Sequence, residues 1–499
     1  MILDLLRHGD PTHAAIAVSG NGPVVNYDQL RHQVDALAAQ LNQFGLGRGD
    51  RIAMALPNGL EVIASFLAAS TVGTAAPLNP AYTRDEFRFY LEDVGARALI
   101  LPPKEGEEAR AAAGDDVLII EADLNSDGRV QFSSERNAGA GRARDDPNAN
   151  DTALILHTSG TTSRPKRVPL SHANLMTSAR NVSETYQLTS EDVSLCVMPL
   201  FHVHGLVAST LATLFAGGTI VVPPKFNPLS FWSTVREHRV TWYSAVPTIH
   251  QVLLSRARSS RPAGAEHLRF IRSCSAALAP QTMSDIEERF GVPILEAYGM
   301  TEAAHQMASN PLPPGARKAG SVGCGTAVDI AILDQTGEVL PPGETGEVSI
   351  KGPNVFGGYE GNAEANAESF SNGWFRTGDQ GYLDDEGYLT LVGRLKELIN
   401  RGGEKISPRE IDETLLTHSA VAEAVCFGIP NRVYGEEVAA AVVLKGAATE
   451  SDLIAHCRSS LADFKCPKTI YIVEAIPRTA TGKIQRRNVA AEISKTRNW

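Results

Sequence analysis

The chain has 499 residues, 43% of them hydrophobic and 21% charged, more than one hydrophobic core organises, so two or more globular domains are expected. Lys and Arg total 46 against 57 Asp and Glu, a formal charge of −11, which argues against nucleic acid or an anionic membrane as the main partner. The six cysteines (196, 274, 324, 426, 457 and 466) are scattered with no C-x-x-C spacing, which disfavours a disulfide framework or a zinc site and points to reduced thiols.

In chain order, the opening MILDLLRHGD lacks the basic stretch and long apolar run of a signal peptide. Strand-length apolar runs then alternate with helical patterns through the first 300 residues. Strands are expected at 51–58, 117–123, 152–160, 219–224 and 240–247, and helices at 27–45 and 280–291, the latter closed by a glycine. This alternation predicts parallel sheets covered on both faces. Residues 133–150, SSERNAGAGRARDDPNAN, are polar and aperiodic and read as an exposed linker or surface loop. Residues 195–224 contain no charged side chain, but Pro199, Gly205, Gly217, Gly218 and a closing Pro-Pro pair interrupt them. A buried strand, loop and helix fit better there than a membrane span, which wants roughly 20 apolar residues.

From about Ala319 short β patterns punctuated by glycine suggest a small antiparallel unit. A charged stretch, RLKELINRGGEK, follows Gly393, and an α+β pattern then runs to the C-terminus. Within it Ser407-Pro408-Arg409-Glu410 reads as a helix start with Ser as N-cap. The expected organisation is α/β: a large multi-subdomain N-terminal body over 1–395, with two αβ sheets and a small antiparallel β unit, and a small mobile α+β C-terminal lid domain over 396–499. The last residues, KTRNW, are not the S-K-L peroxisomal address, so a cytoplasmic location is expected.

The strongest local signal for chemistry is His157-Thr158-Ser159-Gly160-Thr161-Thr162-Ser163-Arg164-Pro165-Lys166. Hydroxyls, backbone N–H groups and cations after an apolar strand can wrap phosphate oxygens. The segment is not a Walker A loop, and on composition alone a polar strand-to-helix turn is the competing reading. Further motifs follow in order: PLFHVHG at 199–205, YGMTE at 298–302, WFRTGD at 374–379, GRLKELI at 393–399 and RTATGK at 478–483. Together these resemble the adenylate-forming superfamily of acyl-CoA synthetases, luciferases and peptide-synthetase adenylation domains, over essentially the whole chain.

The resemblance implies an ATP-dependent acid–thiol ligase with ATP, Mg²⁺ and coenzyme A, no nucleic acid and no membrane span. It places ATP against Thr158, Ser159, Gly160, Thr161, Thr162, Lys166, Ala276, Glu296, Ala297, Tyr298, Thr301, Asp379, Arg394 and Lys483. Within that set Tyr298 offers a flat face for adenine and Asp379 accepts the ribose hydroxyls. Glu302 is a hard oxygen ligand for Mg²⁺. Lys483 bridges the attacking carboxylate and the α-phosphate. Thr301, Glu302, His202 and Lys483 form the expected catalytic set. Lys396 occupies the hinge position, and Gly402-Gly403 would let the pantetheine arm of coenzyme A approach the backbone. Two positions depart from the family loop: Ser163 and Arg167 stand where glycines are usual, and Arg167 adds bulk and charge beside Lys166.

For the acid, FIRSCSA (270–276), EAY (296–298), His305, SNPLP (309–313) and LINRGGEKISP (398–408) resemble the oxalate–CoA ligases of plants and fungi within that superfamily. His202, His204, Ser275 and His305 are the residues expected to hold the acid. A neighbouring anion favours a charged histidine, and which of His202 and His204 faces the acid stays open. A larger acid (a coumarate or a medium-chain fatty acid) and an adenylating domain serving a carrier protein are the alternatives. A serine hydrolase would need a G-x-S-x-G elbow, which is missing.

Overall fold

The computed structural model describes all residues except 138, 159–164, 258–259, 480–483 and 498–499. Four sheets organise it. The nine-stranded sheet runs Cys324–Gly325, His305–Ser309, Ile294–Met300, Phe270–Ser273, Trp242–Ala245, Val193–Leu195, Thr219–Val222, Ala14–Val18 and Val24–Asn26. Its interior pairs are parallel and the pairs at both edges antiparallel, so the expected parallel sheet is in fact mixed. The seven-stranded sheet follows the same rule, with a parallel interior and the hairpin Thr152–His157/Arg167–Ser171 at one edge. Interior strands are buried on both faces and read as unbroken apolar runs such as Ala98–Leu101, whereas a hairpin return needs no covering helix.

One apolar cluster runs through both of these sheets. At its centre is the helix Leu60–Val72, in which every residue but Glu61 is buried. A helix apolar all round belongs in the middle of a large core. The charge-free stretch 195–224 folds as expected: the strands Val193–Leu195 and Thr219–Val222 enclose a fully buried π-helix, His204–Leu211, continued by Ala212–Phe215. No helix among the described residues is long and apolar enough to cross a membrane. Most of 134–150 is exposed and irregular, yet it is pinned rather than free. Arg142 N–H donates to the carbonyl of Asn42, and Arg144 pairs with Asp35 at 3.1 Å.

The small antiparallel sheet, Asp329–Leu333, Gly346–Lys351, Trp374–Leu383, Phe370–Ser371 and Leu389–Arg394, ends at Arg394. Beyond it lies a five-stranded sheet built on the long hairpin Val421–Asn431/Gly435–Leu444. Its two apolar clusters draw only on residues from 399 onward. The residues from 399 onward therefore have apolar clusters of their own. One expectation at their start is corrected. Ser407 does precede the helix Pro408–Leu416, but its hydroxyl makes no capping bond. It donates instead to the carbonyl of Val392 at 2.6 Å, while Glu410 binds Lys465. Pro408 at the first helical position already removes one orphan N–H, and the serine serves the junction with the body.

Candidate functional site

The nucleotide end begins at the hairpin, where His157 pairs with Arg167. Thr158 N–H donates to the carbonyl of Lys166 (3.0 Å) and Lys166 N–H donates to Thr158 Oγ1 (3.2 Å). The loop is thus closed at its base like a purse. Ser159, Gly160, Thr161, Thr162 and Ser163 lie outside the described residues, and so does Lys483. Arg167 opens the second strand of the hairpin. Its guanidinium donates to the carbonyl of Asp93 and pairs with the Asp93 carboxylate (3.3 Å) and Glu360 (3.2 Å). The side chain that stands in place of glycine is thus held in a half-buried ion-pair network with Asp93 and Glu360.

Facing the hairpin, Lys166 Nζ lies 4.3 Å over the Tyr359 ring, and Tyr359 O–H donates to Glu302 Oε1 at 2.7 Å. Burial raises the Glu302 carboxyl above its ordinary value, opposed by that hydrogen bond and by the charges of Arg394 and Lys166. Thr301 opens the same tight turn, Thr301–Ala303, half-buried. Next to it Tyr298 O–H donates to Asp379, which also receives Arg394 Nε at 2.8 Å. Two donors thus hold one carboxylate in the middle of the long strand Trp374–Leu383. Glu296, only 1% exposed, accepts Leu278 N–H at 2.9 Å, and its second oxygen has no hydrogen-bond partner. Burial pushes this carboxyl up to about 7. Ala297 is buried in the same strand, and Ala276 is exposed in the turn after Ser275.

The residues expected to hold the acid gather around the ends of the strands Trp242–Ala245 and Phe270–Ser273. Arg272, 0% exposed, donates from Nε to Tyr186 O–H oxygen (2.8 Å) and from Nη1 to Ser244 Oγ (3.0 Å). Its Nη2 donates to Gln306 Oε1 (3.0 Å) and to His305 Nδ1 (3.4 Å). His204 contacts Ser244 Oγ through Nε2 (2.6 Å) and Ser275 Oγ through Nδ1 (3.0 Å), and its ring centre lies 5.2 Å from that of His305. Of the four residues expected to hold the acid, His204, Ser275 and His305 come together. His202 is half-buried, with its ring against Phe201.

Local backbone explains this convergence. Ser275 (φ 74°) and His305 (φ 125°) both sit at positive φ, a conformation that surrounding structure must impose and that clusters at functional sites. Gly205 allows the PLFHVHG turn to close, since a Cβ there would lie 2.4 Å from the Pro199 carbonyl oxygen. Gly299 does the same for His305, whose carbonyl oxygen would be 2.3 Å from an added Cβ. Arg272, Ser244, Gln306 and Tyr359 were not expected in the site. Only Arg272 carried a signal: a lone charge inside the apolar run FIRS.

On the C-terminal unit, Lys396 is exposed in the turn Leu395–Glu397 between the last strand of the body and the strand Ile399–Arg401. Gly402 and Gly403 take φ of 60° and 96° and close the hairpin in which Arg401 pairs with Glu404. Two successive positive φ values in a two-residue hairpin loop favour glycine at both positions on backbone grounds alone. Nothing lies within 4 Å of a Cβ placed on Gly403, so its backbone is open to an approaching chain.

Comparison with known proteins follows this geometry. The family model described as AMP-binding enzyme matches residues 7–360, and the AMP-binding enzyme C-terminal domain matches 410–483. A protein of Humulus lupulus named a probable CoA ligase is 49% identical, covering 95% of this chain and 93% of its own. The oxalate–CoA ligase of Arabidopsis thaliana is 46% identical, covering 96% and 95%. Among solved structures, ATP-bound MatB from Rhodopseudomonas palustris superposes with a TM-score of 0.89 at 32% identity, covering 99% of both chains.

Proposed function

The chain belongs to the AMP-binding enzyme family, and from that premise we propose that it joins oxalate to coenzyme A at the expense of ATP, through an oxalyl-adenylate. It is an acid–thiol ligase, so two half-reactions are required. In the first, an oxalate oxygen attacks the α-phosphate of ATP and diphosphate leaves. In the second, the coenzyme A thiol attacks the adenylate carbonyl, loses its proton, and AMP leaves.

For the first step the chain's own groups supply binding, orientation and charge. Asp379, held by Tyr298 and Arg394, accepts hydrogen bonds from the ribose hydroxyls. The Tyr298 ring face is left for adenine. Lys166 at the base of the phosphate loop balances phosphate charge. Glu302 would hold the magnesium ion that accompanies ATP. A single buried carboxylate oriented by Tyr359 suits an ion bound mainly through phosphates, and the ion supplies charge neutralisation there. Lys483 is proposed from its place in RTATGK alone to stabilise the charge developing between oxalate and the α-phosphate.

One observation carries the acid assignment: a fully buried guanidinium with His204, Ser275 and His305 around it, in a chain similar to an oxalate–CoA ligase over nearly its whole length. Such a cluster is costly for a long apolar acyl chain and favourable for a second carboxylate. The test is product identification. With ATP, magnesium, oxalate and coenzyme A, mass spectrometry should show oxalyl-CoA with AMP and diphosphate in equal amounts. ADP and phosphate, or oxalate-independent AMP, would contradict it.

A further inference from the structure

We propose that Arg272 is a positioning residue of the acid site: it fixes His204 and His305 as opposite neutral tautomers and is itself the positive charge that favours a doubly charged acid. The proposal rests on the oxalate reading for its substrate class, but its tautomer content does not.

The argument follows hydrogens through buried groups. A guanidinium has five donors, no acceptor, and keeps its proton. Arg272 Nη2 donates to His305 Nδ1, so Nδ1 carries the lone pair and the ring proton sits on Nε2. On the other side Arg272 Nη1 donates to Ser244 Oγ. Ser244 is fully buried, and its own hydroxyl proton must find an acceptor. Its other partner is His204 Nε2 at 2.6 Å, since a guanidinium cannot accept. His204 Nε2 is therefore an acceptor, and the ring proton sits on Nδ1, from which it donates to Ser275 Oγ. Ser275, half-buried, keeps its own hydroxyl proton to give to a ligand.

A charged state of either ring breaks this pattern. A cationic His305 would set Nδ1–H against the Arg272 N–H, donor against donor and charge against charge. A cationic His204 would donate from Nε2 to Ser244 and leave the serine proton buried without an acceptor, which is costly. No described carboxylate lies within ion-pair distance of Arg272, while Tyr186, Ser244, Gln306 and His305 take four of its five N–H groups and the Cys274 thiol lies beside it. A buried cation solvated only by neutral groups leaves a local positive field, which a dianionic acid completes. On this proposal the charge is the arginine's, and the histidines are aimed dipoles.

The test is ¹⁵N NMR of histidine-labelled protein at pH 7, with the two rings assigned by His204→Asn and His305→Asn. His204 should be protonated at Nδ1 and His305 at Nε2, and neither should be cationic. Ser244→Ala should scramble the His204 tautomer, leave His305 unchanged, and raise KM for oxalate about tenfold with little change in kcat. Arg272→Met should lower kcat/KM for oxalate about a hundredfold or more while that for glyoxylate falls far less. Should that variant not fold, the wild-type tautomers and Ser244→Ala still decide. A cationic ring in the wild type, or a His204 tautomer indifferent to Ser244, overturns the proposal. Correct tautomers in an enzyme that prefers another acid would sink the oxalate reading and leave this assignment standing.

Discussion

Glu296 is a carboxyl sealed inside the body with one oxygen unpartnered, and burial raises it from 4.5 to about 7. Between about pH 4.5 and 7 the native protein therefore binds more protons at this site than the unfolded chain does. Stability from this group falls as pH rises through that window and levels off above it. His172 and His250, lowered by burial to about 4, act in the opposite sense, so the difference between variant and wild type is the readout. Glu296→Gln is expected to raise Tm more at about pH 7.5 than at about pH 5; an equal change at both would mean the carboxyl is not raised. At His305 the prediction concerns specificity. A hydrogen bond to a charged group contributes about 1.5–3 kcal/mol, so His305→Ala should lower kcat/KM for oxalate about ten- to a hundredfold. A monocarboxylate such as glyoxylate should lose much less, and KM for ATP should stay put, because Asp379, Tyr298 and Arg394 are a separate set of contacts. Equal losses for both acids would remove His305 from the reading of the second carboxylate. Residue identities of this kind were legible wherever a motif carried them. What was not legible were partners supplied across the sheet: Ser244 from the neighbouring strand, Gln306 two strands away, and Tyr359 across from Glu302. No local spacing encodes those meetings.

The strand Phe270–Ser273 carries Arg272 on an aromatic bed. Phe270 stacks on Tyr186 at 4.9 Å and on Trp242 at 5.3 Å, and all three are fully buried. Truncating such a side chain leaves a cavity as well as losing transfer free energy, so Phe270→Ala should cost about 3–5 kcal/mol in urea denaturation. A loss below about 1 kcal/mol would show the stack to be dispensable. Elements with a strong period, such as the helices Tyr27–Gln43 and Pro280–Phe290, could be read from apolar spacing and end signals. The π-helix at His204–Leu211 could not, because a charge-free run has no periodic face to mark its winding. At the junction, the turn holding Lys396 is anchored on both flanks. Arg394 pairs with Asp379 of the body, and Glu397 pairs with Arg486 of the C-terminal unit at 3.2 Å. Lys396 itself stands exposed between the two anchors. If rotation between half-reactions passes through it, Lys396→Pro, which locks φ near −65°, should spare ATP–diphosphate exchange and slow thioester formation about tenfold or more. Equal loss in both half-reactions would make the position structural.

At the scale of the molecule, a body whose largest apolar cluster runs through two sheets is followed by a smaller unit with cores of its own, and Ser275, Ala276, Thr301 and Glu302, expected to meet acid and nucleotide, lie on the body just past strand ends. That placement agrees with the rule that open α/β sheets bind ligands beyond the ends of their strands. The charged stretch after Gly393 lies just before the residues that form the C-terminal apolar clusters, which draw on residues from 399 onward. The mixed character of the sheets could not be read from the sequence, because a strand's direction is set by its return connection rather than by its own residues. The central claim is that this architecture reads a small dianionic acid. The most direct measurement is kcat/KM for coenzyme A-dependent AMP formation with oxalate, glyoxylate, a coumarate and a medium-chain fatty acid side by side. Oxalate should lead by at least about a hundredfold, because a site whose buried polar groups need a partner rejects acids that leave them empty. A lead for the aromatic or the medium-chain acid would contradict the oxalate assignment and leave only the ligase chemistry standing.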